Sequence, residues 1–229
     1  MKLILCLAMS FLALPAHAQA DDPTLFNPVT ASQFEDPRIF PLDAAFGAEH
    51  GVAIPAPSDL YLPQHDQLHV RIIPTPVPGG AEVLAVEFSA IGASEDDLTF
   101  LENIQITDAR IPMFEDQDDP LVARLNLAAS LLQQQFYPAW LAAFPDAEPV
   151  GFEGVELGNS AAAVHLMITY RDPRQQAIML TRAVVLLHPD QPESLFVTAN
   201  IDLDRVPVTD AASLAGTLTS RVLNAWTFH

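Results

Sequence analysis

One cysteine and one lysine are all that this 229-residue chain holds of either, and both, Cys6 and Lys2, stand at its extreme start. Lys2 precedes an apolar run from Leu3 to Leu14, and Pro15-Ala16-His17-Ala18-Gln19-Ala20 then places small residues where a signal peptidase reads. Residues 1–20 therefore read as a signal peptide, and Cys6 has too little apolar sequence before it for a lipid-attachment site. Cleavage would leave a cysteine-free chain in an oxidising compartment, with no disulfide, thiolate nucleophile or thiolate metal ligand. Losing Lys2 as well excludes a Schiff-base lysine, a phosphate-loop lysine and a lysine general base. Long hydrophobic runs are also lacking. Crossing a bilayer takes roughly 20 apolar helical residues, more than the leader offers, and nothing later comes closer. The expectation is a soluble periplasmic or secreted protein with no transmembrane segment.

Positive charge is the next scarcity. Ten Lys+Arg against 29 Asp+Glu give a formal charge of -19, which becomes about -20 once Lys2 is cleaved away. Nucleic acids and anionic membranes attract clustered cations, and here only scattered arginines remain, so nucleic-acid binding is excluded. The acidity reads as a solvated surface. With 50% of residues hydrophobic and 17% charged, the chain has enough apolar material to close a core without cross-links.

Ten of the twenty prolines fall within residues 21–80. Each fixes φ and removes a backbone donor, which argues against helix interior or central strand and for an extended, proline-rich arm lying on the body. Within it the alternation of Leu68, Val70 and Ile72 reads as a short edge strand. From residue 81 an α+β domain is expected. Val83–Ile91 is a strand. Phe100-x-Glu102-x-Ile104-x-Ile106 alternates like a second, with a helix capped at Ser94 as the alternative. Asp118 or Asp119 before Pro120 opens a helix whose apolar face is Leu121, Leu125, Ala128, Ala129, Leu132 and Phe136, ended or kinked by Pro138. Then comes a meander, 150–157, 161–170, 177–188 and 194–203, in which the strand over 177–187 is apolar on both faces and so belongs in the middle with a layer on each side. Thr209 or Asp210 caps a last helix carrying Leu214, Leu218 and Val222. The fold class is α+β: a mostly antiparallel sheet of about six or seven strands covered by two main amphipathic helices.

The chemistry-bearing residues are few and scattered. His165 lies mid-strand on the face of Ala163 and Met167, and Arg182 interrupts the apolar face of Ile178, Leu180 and Val184. An arginine there needs a carboxylate or a wet cleft, since an unpaired buried charge costs several kcal/mol, about 3–5 when a partner is removed. Arg182, with His165 as its possible strand neighbour, is therefore the best pointer to a ligand. His65 and His69 would share a face only on a helix, and Pro63 with the strand at Leu68 sets them on a turn and a strand, so no metal is expected. Gly92-Ala93-Ser94 and Gly158-Asn159-Ser160 lack the second glycine of a nucleophile turn. The acids of 115–119 lack the glycine and closing glutamate of a calcium loop and read as a helix cap. Asp202 and Asp204 have no opposing carboxylate for glycoside hydrolysis.

The element order over roughly 82–228, with a helix opening at Asp119-Pro120, the meander, and a closing helix ending Arg221-Val222-Leu223-Asn224-Ala225-Trp226-Thr227-Phe228, resembles the PsbP/Mog1-type sandwich. That resemblance implies a binding or assembly factor and places no site residue. The expectation is thus an exported, non-catalytic binding or assembly protein of a bacterial envelope, without cofactor, whose partner is a protein or small ligand. The alternative is a hydrolase or metal-dependent enzyme whose site is dispersed along the chain.

Overall fold

The computed structural model describes residues 38–51, 54, 56–76, 82–92, 97–157 and 161–229. The expected signal peptide, the first part of the expected arm, Ser94 and the Gly158-Asn159-Ser160 turn lie outside the described residues.

Seven strands form the main sheet: β3 (Leu68–Pro76), β4 (Glu82–Ile91), β5 (Leu98–Arg110), β6 (Glu148–Glu156), β7 (Ala162–Asp172), β8 (Ala177–Leu186) and β9 (Glu193–Asp202). Their order is β3-β4-β5-β9-β8-β7-β6, every neighbour antiparallel. Two meanders, β3–β5 and β6–β9, thus meet at β5 and β9. The stretch over 38–76, expected as extended arm, contributes more than one edge strand. β1 (Arg38–Leu42), β2 (Ser58–Leu62) and the C-terminal β10 (Thr227–Phe228) make a three-stranded sheet ordered β1-β2-β10. Between β1 and β2 stands α1 (Ala44–His50). Asp43 caps it by accepting the Phe46 N–H at 2.9 Å, and Gly51 stops it at φ 69°, a conformation that suits glycine.

Each face of the main sheet closes its own core, as apolar residues on both faces of β8 require. Leu180, Val184 and Leu186 join one core with Leu60, Leu62, Leu218, Val222 and Trp226. Met179, Ala183, Val185 and Leu187 join the other, under α2 (Pro120–Leu131) and α3 (Tyr137–Ala143). Asp119 accepts the Val122 N–H, and Pro120 occupies the first turn, where no donor is needed. Pro138 does not end the helical run. Leu132–Phe136 form a π-helical turn in which the Tyr137 N–H reaches back to the Leu132 carbonyl, and the proline then falls in the first turn of α3. Leu121, expected on the buried face, is 47% exposed at the helix start.

Two further departures have local causes. The alternation of Phe100 and Glu102 suggests one shared face, but a bulge sets Phe88 opposite Glu102 and Ser89 opposite Phe100. Phe100 then packs on the α2–α3 side, while Leu101 and Glu102 both turn to the opposite one. The last helix is two: α4 (Ala211–Gly216), held by an Asp210–Ser213 capping box, and α5 (Leu218–Ala225). Thr217 is extended between them, donating its hydroxyl to the Leu214 carbonyl and accepting the Ser220 N–H. Leu214, Leu218 and Val222 are still buried in one core.

Candidate functional site

Hairpin register decides what Arg182 and His165 meet. Glu156 pairs with Ala162 and Glu153 with His165, while on the next strand Met167 pairs with Arg182 and His165 with Val184. Glu153, His165 and Arg182 therefore lie in a row across β6, β7 and β8, beneath α5. The Nε–H of Arg182 donates to His165 Nδ1 at 2.8 Å, leaving Nε2–H to donate to Glu153 Oε1 at 3.0 Å. Arg182 Nη1 lies 3.5 Å from the Ser220 hydroxyl on α5.

This arrangement demands a neutral imidazole. A second ring proton would destroy the acceptor that Arg182 uses and set two cations side by side. Burial, then the Arg182 charge, accordingly pushes His165 down to about 3. Arg182 is lowered to about 10 by burial, against the pull of Glu153, and stays cationic at neutral pH. His165 is 2% and Arg182 7% exposed. The row links Glu153 at its outer end to Arg182 inside through a neutral ring whose two nitrogens are both engaged.

Two other buried charged groups are likewise engaged. Glu102, 1% exposed, accepts the backbone N–H of Leu218 and Thr219 and the Thr219 hydroxyl at 3.0, 2.9 and 2.7 Å, which anchors the start of α5 on β5. Burial raises its pKa, and these hydrogen bonds work against the rise. Arg124 on α2 donates to the carbonyls of His188 and Gln191 and to Ser194 Oγ, tying that helix to the β8–β9 connection. Neither residue stands out in the sequence, because each partner is remote in the chain.

An open feature lies elsewhere. A cleft of about 540 Å³ separates β1 and the turn after β2 from the edge strand β3. Phe40, Leu62, Leu68, Val70 and Ile72 give it apolar walls, and Arg38, Gln64, His65 and Asp66 add polar ones. Neither Arg182 nor His165 lines it. His65 accepts the Gln67 N–H on Nδ1, whereas His69 alternates to the other side of β3 from Leu68 and Val70, so the two histidines do not converge. Among the described residues no cluster of three or more His, Cys, Asp and Glu is placed to hold a metal ion. Asp202 pairs with Arg205 at 2.6 Å, and Asp204 accepts the Ile178 N–H. His229 folds back to Asp59, 3.0 Å away.

No protein-family model matches the chain, and no curated protein sequence does. Among solved structures it is similar to LpqN of Mycobacterium tuberculosis, involved in cell envelope biogenesis, at 14% identity, 89% of this chain, 99% of that one and a TM-score of 0.41. It is also similar to the Ran-binding protein Mog1p of Saccharomyces cerevisiae, at 13% identity, 82% and 87% coverage and a TM-score of 0.36. A third, PA94 of Pseudomonas aeruginosa, shares 15% identity over 73% of this chain and 88% of that one, with a TM-score of 0.33. Nothing about function follows from likeness at these scores.

Proposed function

We propose that the chain is an exported, soluble, non-catalytic binding or assembly protein of a bacterial envelope, acting through the cleft between β1 and β3. Export rests on the leader pattern of Lys2, Leu3–Leu14 and Pro15–Ala20. Among the described residues no helix is long and apolar enough to cross a membrane. The supporting observation is a contrast in commitment. Glu102, Arg124, His165 and Arg182 direct their hydrogen bonds into the fold, while the cleft combines apolar walls with polar groups at a volume suited to a small ligand. In this reading Arg182 and His165, chosen from sequence as ligand residues, act as positioning residues that hold α5 over the sheet.

Fractionation with native mass spectrometry tests it. The full chain, expressed in a bacterial host, should appear in the periplasm starting at Asp21. It should retain a bound molecule that Gln64→Trp, which adds bulk to an exposed cleft residue, abolishes. An unprocessed cytosolic protein, or a bound molecule indifferent to Gln64→Trp, contradicts the proposal.

A further inference from the structure

Arg38 is an exposed arginine at the rim of the cleft, in a chain with 29 acids. Arg71, Arg110 and Arg205 each pair with a carboxylate, at 3.0, 4.0 and 2.6 Å. The guanidinium of Arg38 stacks 4.4 Å from the centre of the Phe40 ring and meets no carboxylate among the described residues. Contact with the ring engages one side of the group, and among the described residues no hydrogen bond takes its planar fork of N–H donors. That fork belongs to a residue lining the cleft whose other walls include Phe40, Leu62, Val70 and Ile72.

Resting on the reading of this cleft as the binding place, we propose that its ligand is a small amphipathic monocarboxylate. The carboxylate sits on the Arg38 fork, and the hydrocarbon or aromatic body lies along the partly buried Phe40, Val70 and Ile72. A carboxylate matches two parallel N–H donors, and this charge-assisted pairing is roughly twice as strong as a neutral hydrogen bond. Apolar walls reward a body without polar groups at about 25 cal/mol per Å² removed from water. Asp66 limits the charge. It lines the same cleft as Arg38, and a cleft holding one arginine and one carboxylate favours a single negative charge over a phosphate dianion. The overall charge of -19 gives anions no long-range attraction. Beyond roughly 8 Å in physiological salt it is screened, so selection falls to the local pair of Arg38 and Phe40.

Calorimetric titration of the leader-free protein with octanoate, octanol, octylamine and octyl phosphate tests this, with NMR mapping of the resonances that move. Octanoate should shift residues of the cleft and bind about tenfold or more tighter than the other three, a gap of about 1.4 kcal/mol. Arg38→Gln should weaken octanoate by about tenfold with an unchanged thermal midpoint, and Arg38→Lys should recover part of the loss. Octanol or octylamine binding the cleft as tightly as octanoate overturns the ligand class while leaving the cleft as binding place. Octyl phosphate binding tighter overturns the monoanion assignment alone. If no probe perturbs the cleft, the ligand class fails, and retention of an endogenous molecule sensitive to Gln64→Trp decides separately whether the cleft binds anything.

Discussion

Arg182 and Arg38 are the same side chain in opposite surroundings. Beneath α5, Arg182 is 7% exposed and hydrogen-bonded to His165, with Ser220 beside it. At the cleft, Arg38 is exposed, stacked on Phe40 and without a carboxylate partner among the described residues. A buried cation must have its donors met, because stranding one costs several kcal/mol, while a solvated cation can keep its donors for a ligand. The contrast separates what holds this protein together from what is open to a partner, and substitutions at four positions probe it.

Glu102→Ala should cost most, about 4 kcal/mol, because it strands two backbone N–H groups and the Thr219 hydroxyl in the core. Denaturant unfolding measures this, and a loss below about 1 kcal/mol would mean that α5 does not depend on its anchor. Arg182→Met should come next, near 3 kcal/mol. Pairing it with His165→Leu should recover part of the loss, since the stranded imidazole acceptor disappears with it; strict additivity in this cycle would deny the coupling.

The pH dependence follows. His165 in the unfolded chain titrates near 6.5, while in the native state burial and Arg182 push it to about 3. Between those values the unfolded chain binds a proton that the native chain refuses. The stability from the neutral ring is thus fully present above about 6.5 and falls as the pH drops toward 3, with a limiting slope of about 1.4 kcal/mol per pH unit. Raised pKa values at Glu102 and Asp202 act in the opposite sense, lowering stability as pH rises. The difference between wild type and His165→Gln cancels those two. That difference should shrink from pH 7 to pH 4, and a constant gap would show a ring that titrates normally. The smallest stability effect belongs to Arg38→Gln, within about 0.5 kcal/mol of wild type.

Turn chemistry and alternation made most of the main sheet legible. Asp172-Pro173 and Pro189–Pro192 separate strands that do form a meander, and the doubly apolar β8 is central with a layer on each face. The β5 bulge and the break at Thr217 were not legible, since each rests on one residue's backbone choice within an otherwise regular pattern. The β1-β2-β10 sheet was hidden for another reason: Thr227 and Phe228 pair with Asp59 and Ser58, across most of the chain. Of the site, Arg182 and His165 were visible as polar interruptions of apolar faces. Their partner Glu153 was implicit, because the antiparallel register of β6 and β7 pairs 153 with 165. The cleft was not, because it arises where the edge of one sheet meets the edge of another.

NMR titration of the leader-free protein with octanoate tests the separation of interior from opening most directly. The account predicts that Phe40, Leu62, His65, Val70 and Ile72 shift while His165 and Arg182 stay still. Shifts centred on His165 and Arg182, with the β1–β3 cleft silent, would contradict it.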